Sequence, residues 1–175
     1  MKRLFVLGFI MMLVGVLNAQ QALVTINKLD EITIISKMNL TMDFSKAKIY
    51  NLTEEEFSRY EVDWNKDRKS IVNSCIKGLK PHVKKYFRLG NYPDAPYTMA
   101  ITVTELGRKE QIKGSVEIVS ANGTVLFHMD DVQTNDAITQ VPALTTKLAM
   151  TKYLSLRMGR KIGKIIRDIL KKESK

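Results

Sequence analysis

The sequence predicts an α+β domain: an antiparallel sheet of about four strands, with two main helices packed on one face. Two long segments repeat apolar residues at three- and four-residue spacing, which is typical of amphipathic helices. Four short segments alternate apolar and polar residues, which is typical of half-buried strands. Three of the strand segments follow one another directly, and strands joined by short turns pair antiparallel.

The first nineteen residues have the features of a secretory signal peptide. Lys2 and Arg3 precede an uncharged stretch from Leu4 to Leu17, and Ala19 supplies a small residue before the cut. The alternative is an uncleaved N-terminal anchor. We expect residues 20–175 to form a single α+β domain that is periplasmic or secreted, and soluble, since no later stretch approaches the length of a membrane span.

The composition favours a bacterial envelope protein. The chain has 28 Lys and Arg against 18 Asp and Glu, a net charge of +10. Its one cysteine, Cys75, cannot form an internal disulfide, although small secreted domains often depend on disulfides. The domain must therefore depend on its hydrophobic core alone.

The first half of the chain predicts a strand followed by two helices. Residues 38–44 alternate apolar and polar side chains, which indicates the strand. Thr53 and Glu56 have the spacing of a capping box and predict a short helix. A long amphipathic helix should follow, with a kink or restart at Pro81. Its apolar positions are Ile71, Val72, Cys75, Ile76 and Leu79.

Three strands should follow, and Asn122-Gly123 between the last two predicts a hairpin with a two-residue turn. That turn fixes the register, because it places the apolar residues of both strands on one face. The predicted cross-strand pairs are Ala121 with Thr124, Ile118 with Phe127, Val116 with Met129 and, on the other face, Glu117 with His128.

The last helical region should open at Pro142 and run towards the C-terminus. From Ser155 onwards, apolar residues share one side of the helix and basic residues the other. Ser155, Gly159 and Gly163 are small residues spaced four apart on the apolar side. Small residues there indicate that another backbone, expected to be the sheet, approaches closely. We therefore predict a structural element of the domain and not a membrane-binding tail.

Few residues have the spacing that catalysis or metal binding needs. His128, Glu117 and Asp130 would converge on the exposed sheet face as a metal or acid–base site, but a hydrogen-bonded cross-strand pair is the favoured interpretation. His82 should be a surface or helix-end residue, and Cys75 a buried core residue rather than a reactive thiol. We accordingly predict no catalytic, metal or cofactor-binding residue.

Two further segments have suggestive compositions. Asp130, Asp131 and Asp136 form an acidic group without the ligand alternation and central glycine of a calcium loop. Residues 84–92, KKYFRLGNY, mix basic and aromatic side chains as single-strand nucleic-acid binders do. Tyr86 and Phe87 continue the apolar side of the preceding helix, so we expect them in the core and expect no nucleic-acid partner.

Residues 42–64, MDFSKAKIYNLTEEEFSRYEVDW, together with the hairpin and the MGRKIGKIIRDIL helix, resemble a group of uncharacterised secreted proteins from Gram-negative bacteria. The specific residues are Asp43, Phe44, Ser45, Ala47 and Ile49. In outline, residues 38–170 are also similar to the small α+β N-terminal domains of the periplasmic Tol propeller protein and of the curli secretion lipoprotein, although the lipidated cysteine is missing. The resemblance implies an envelope adaptor or binding module without catalytic residues.

Three functional hypotheses follow, and each predicts a different distribution of side chains. A non-enzymatic envelope module that binds another envelope protein or component should have scattered basic residues. A cationic binder of anionic surfaces, such as lipopolysaccharide or a bilayer, should gather them in one continuous exposed patch. A hydrolase or metal enzyme needs a pocket that holds His128 or His82 beside carboxylates.

We expect the exported protein to begin near Gln20, because the charged start, apolar stretch and Ala19 form a cleavable signal. Mass spectrometry of the protein purified from the periplasm or medium would check this. A mass that retains residues 1–19 would contradict it and support the anchor.

Overall fold

The computed structural model of the protein describes residues 24–26, 29, 32, 36–107, 111–134 and 146–173. The strands are β1 (Val24–Ile26), β2 (Lys37–Asp43), β3 (Lys48–Ile49), β4 (Arg88–Gly90), β5 (Tyr97–Leu106), β6 (Ile112–Ser120) and β7 (Val125–Gln133). The helices are α1 (Glu54–Tyr60), α2 (Trp64–Val83) and α3 (Lys147–Glu173). The predicted signal peptide and Pro142 lie outside the described residues.

The strands form one mixed, seven-stranded sheet in the order β1-β7-β6-β5-β2-β4, with β3 paired to the end of β5. β2 is parallel to both β4 and β5, whereas β5, β6, β7 and β1 pair antiparallel. The prediction of about four antiparallel strands with two helices is therefore wrong. The parallel pairing arises because a helical crossover through α1 and α2 returns the chain to the sheet in the same direction. The strand number was underestimated because β1, β3 and β4 are too short to show alternation.

The β6–β7 hairpin has most of its predicted register. Three pairs are confirmed: Val116 with Met129, Glu117 with His128 and Ile118 with Phe127. The predicted pair of Ala121 with Thr124 is wrong, because the Ser120 N–H donates to the Thr124 carbonyl and the loop is one residue longer than predicted. Gly123, at φ +85°, supplies the left-handed residue that three-residue loops need. A bulge at Leu126 then restores the register.

Helices α2 and α3 lie side by side on one face of the sheet, α2 against β2 and β4, α3 against β6 and β7. The two helices run parallel, because β2 and β7 point the same way and each is followed by a helix that returns across the sheet. Their first turns are therefore at the same end of the domain. Among the described residues, no helix is long and apolar enough to cross a membrane.

The small residues of α3 face α2. The Ser155 hydroxyl donates to the Ile71 carbonyl at 2.8 Å. A Cβ on Gly159 would lie 2.2 Å from the Cys75 carbonyl oxygen. The predicted close approach of a second backbone is thus confirmed, but that backbone belongs to α2 and not to the sheet. α3 is a structural element, since its apolar side is buried against α2 and the strands.

Helix α2 continues through Pro81 and ends two residues later, at Val83. Of the kink or restart predicted at Pro81, the restart is therefore wrong. The capping box of α1 is confirmed: the Thr53 hydroxyl accepts from the Glu56 N–H, and the Glu56 carboxylate accepts from the Thr53 N–H.

Replacing Gly159 with alanine should destabilise the fold by about 1–3 kcal/mol, because the new Cβ forces two backbones apart. Gly163→Ala is the matched control, since it brings the same gain in helix propensity but its Cβ meets neighbours only at 3.0 Å. Urea denaturation would measure both free energies of unfolding. Equal effects of the two substitutions would contradict the close contact at Gly159.

Candidate functional site

The sheet face turned away from α2 and α3 holds the cluster that the sequence predicted around His128. His128 Nδ1 lies 2.9 Å from a Glu117 carboxylate oxygen, and Nε2 lies 3.0 Å from an Asp130 oxygen. The hydrogen bond to Asp130 is the main cause that raises the pKa of His128, and Glu117 adds to it. Both ring nitrogens are engaged, so the hydrogen-bonded interpretation is confirmed and extends to a third residue.

The described members of the acidic group Asp130, Asp131 and Asp136 are not placed as a metal site. Asp130 is held by His128, and Asp131 is exposed at a bulge with φ +49°. Asp136 lies outside the described residues. Within the described ranges, no three His, Cys, Asp or Glu side chains are placed to hold a metal ion together.

Cys75 is buried, as predicted. Desolvation raises the pKa of its thiol to about 12, so the nucleophilic thiolate is scarce at neutral pH. Its carbonyl lies at the contact with Gly159. This residue therefore contributes to helix packing.

The two long helices carry the excess charge of the protein. α2 has five basic and one acidic residue, and α3 has nine basic and two acidic residues, a net charge of +11 against +10 for the whole chain. We call their outward side the basic face. Its exposed members are Lys66, Lys69, Lys77 and Lys80 of α2, and Arg160, Lys161, Lys164, Lys171 and Lys172 of α3. Lys147, at the start of α3, is also exposed but lies beside Glu61 and Tyr50, and we do not count it in this face.

His82 shows that the two helices contribute to one electrostatic surface. It lies on α2, one residue before the helix ends, as predicted, and is half-buried beside Gly163 of α3. Partial burial lowers its pKa, and the charges of Arg167, Lys164 and Arg160, all on α3, lower it further. The basic residues of α3 therefore act across the helix boundary.

The aromatic residues of segment 84–92 belong mainly to the core. Phe87 is fully buried, as predicted, and Tyr86 is half-buried against the same cluster. Lys84 and Lys85 are exposed where α2 ends. The rings of this segment stabilise the fold, while its two lysines are open to solvent.

The residues that carry the sequence resemblance have structural roles. Asp43 ends β2, and its carboxylate accepts hydrogen bonds from the Ser45 N–H and hydroxyl, both at 2.9 Å. These two bonds are the main cause that lowers the pKa of Asp43. Phe44, Ala47 and Ile49 are buried. The motif thus builds the turn that follows the strand.

No protein-family model matches the sequence, and no curated protein matches it. Among solved structures, the chain is similar to two crystal forms of the PelC dodecamer from Paraburkholderia phytofirmans, one of them a single-residue variant. Each is 12% identical with a TM-score of 0.49, over 83% of this chain and 95% or 96% of the other.

The sequence predicted the basic side of α3, and a continuous basic patch as one hypothesis, but it did not predict that α2 lies beside α3 and shares this face. The available signal was the charge of each helical segment, since α2 and α3 together exceed the charge of the chain. Their adjacency was not readable from the sequence.

The two histidines should titrate on opposite sides of the ordinary histidine pKa of about 6.5. His128 should titrate above that value because two carboxylates stabilise its charged form, and His82 below it because burial and three cations oppose its charge. An NMR titration of the two ring C–H signals would measure both. The His128→Gln variant lacks one signal and so assigns the two. A lower pKa for His128 than for His82 would contradict the cluster geometry.

Because the pKa of His128 is higher in the folded than in the unfolded chain, its stabilisation is complete below about pH 6.5 and declines as the pH rises through the folded pKa. The difference in unfolding free energy between the natural protein and His128→Gln should follow that course. A difference that grows with pH would contradict it.

Proposed function

We propose that this protein is a non-enzymatic binding module of the bacterial envelope, and that the basic face is its contact surface for an anionic envelope component. The observation that carries the proposal is the gathering of the net charge on two adjacent helices. Of the hypotheses drawn from the sequence, a binder of anionic surfaces expects one continuous patch rather than scattered charges.

The packing of the helices determines how such a surface binds. The apolar sides of α2 and α3 are used in the core; Leu79, Ile162 and Ile166 are at most 1% exposed. Neither helix has a free apolar side to insert into a bilayer, as interfacial helices do. Binding is therefore electrostatic, by Lys and Arg side chains to phosphate or carboxylate groups, and it weakens as salt screens the charges.

The non-enzymatic part of the proposal is supported by the surroundings of the three residues that the sequence offered for catalysis. The Cys75 thiol is buried with a raised pKa, both nitrogens of His128 bind carboxylates, and His82 lies among cations. Each of these contacts explains its residue without a substrate. We also propose a periplasmic or secreted location, which agrees with the signal peptide predicted at residues 1–19 and with the sequence resemblance to Gram-negative secreted proteins.

Co-sedimentation with vesicles containing phosphatidylglycerol, against vesicles of phosphatidylcholine alone, tests the proposal. Each Lys or Arg near an anionic membrane contributes about 1 kcal/mol. Arg160→Glu with Lys164→Glu should therefore weaken binding by at least roughly 30-fold. Both side chains are exposed, so the fold should be retained.

The matched control is Lys46→Glu with Lys48→Glu, which changes the net charge equally at two exposed residues outside the basic face. It should weaken binding far less. Repeating the binding measurement with lipopolysaccharide in place of the vesicles identifies which anionic envelope component is bound. Equal binding to neutral vesicles, or equal losses in both double variants, would contradict the proposal.

A further inference from the structure

A cavity of about 260 Å³ lies between α1, the first turns of α2 and α3, and the ends of β3 and β5. Its volume is close to the lower limit of ligand pockets, which span roughly 300–1,000 Å³. A group the size of an amino-acid side chain fits such a space. The cavity is at the end of the domain where both long helices begin, and none of the exposed members of the basic face lines it.

Three aromatic rings form a fixed wall of the cavity. The Tyr50 ring stacks on Phe57 with centroids 6.1 Å apart, and Phe57 packs edge-on against Trp64 at 5.1 Å. The Trp64 N–H donates to Glu54 at 2.9 Å, which holds the indole in place. Buried Leu106 completes the apolar lining. The wall is formed before any ligand arrives, so little ordering cost accompanies binding.

The rim shows which charge the cavity accepts. The Lys147 ammonium lies 5.5 Å from the centroid of the Tyr50 ring and 4.0 Å from a Glu61 carboxylate oxygen. An ammonium between an aromatic face and a carboxylate is the arrangement that cation-binding sites use. The Lys147 and Glu61 side chains are 66% and 41% exposed, and an ion pair so open to solvent is weak. An incoming cation can therefore displace it.

Asp67 supplies a second carboxylate. It is half-buried in the cavity lining, and its side chain forms no hydrogen bond or ion pair with another described residue. With Glu61 and Lys147 it gives the lining a net charge of −1. The negative charge of Glu61 and Asp67 is larger than the partial positive charge of the nearby helix starts. Without these carboxylates the helix starts would favour an anion.

We infer that this cavity binds an organic cation: a primary ammonium group on an aliphatic stem. The stem lies against the Tyr50, Phe57 and Trp64 rings, and the ammonium lies between Glu61 and Asp67 in place of Lys147. This site goes beyond the proposed function, because its ligand has the opposite charge and its residues are not those of the basic face. The two proposals can therefore fail independently.

Trp64 is the single tryptophan of the chain, so its fluorescence reports on the cavity directly. At pH 7, n-hexylamine, 1-hexanol and hexanoate present the same stem with positive, neutral and negative heads. We expect a saturable change with hexylamine, and binding at least ten-fold weaker for the other two. No saturable change with hexylamine, or comparable binding of hexanoate, would overturn the inference.

Two substitutions distinguish a cation from an anion. Asp67→Asn should weaken hexylamine binding several-fold, whereas Lys147→Gln should strengthen it by removing the internal competitor. Lys152→Gln, on the same helix but outside the cavity lining, is the control and should leave it unchanged. Weaker binding by Lys147→Gln would overturn the inference. Thermal melts confirm that each variant is folded.

The source of the cation is found by competition. A blocked Ala-Lys-Ala peptide that displaces hexylamine supports the site and assigns the cation to a lysine of a partner protein. If hexylamine binds and the peptide does not displace it, the site is still supported, and its cation is assigned to a free amine. The variant with Arg160→Glu and Lys164→Glu should bind hexylamine normally, even where it no longer binds anionic vesicles.

Discussion

The direct contact between the backbones of α2 and α3 is the constraint on which the other features depend. Gly159 lies against the Cys75 carbonyl, and Gly78 lies against the Leu156 carbonyl, so neither position has room for a Cβ. A glycine inside a helix costs about 1 kcal/mol relative to alanine, and close packing offsets that cost. With the helices this close, their basic residues share one surface and their first turns enclose the cavity between them.

Local features of the fold were predictable because each depends on residues that are near one another in sequence. The Asn122-Gly123 turn and the alternation around it determined the pairs from Val116 to Phe127, and the small residues of α3 indicated a second backbone. The parallel pairing of β2 with β5 was not predictable. It joins segments separated by two helices, and periodicity in either strand is the same for both directions.

The same distinction applies to the candidate sites. Glu117 and His128 are on neighbouring strands of one hairpin, so their convergence followed from the register, and Asp130 from the alternation. The basic face needs two helices that are far apart in the chain, at residues 64–83 and 147–173. The cavity needs residues from β3 to α3. Composition indicated the charge of those helices but not their adjacency.

Because Cys75 is buried, the reactivity of its thiol reports on the packing of α2 against α3. In an oxidising compartment an exposed thiol would form disulfides with other molecules, but oxidants require the thiolate, which burial suppresses here. Cys75 lies where α2 meets α3, so a reagent reaches its thiol only when the native packing around it opens. The rate of alkylation therefore reports how often that packing opens.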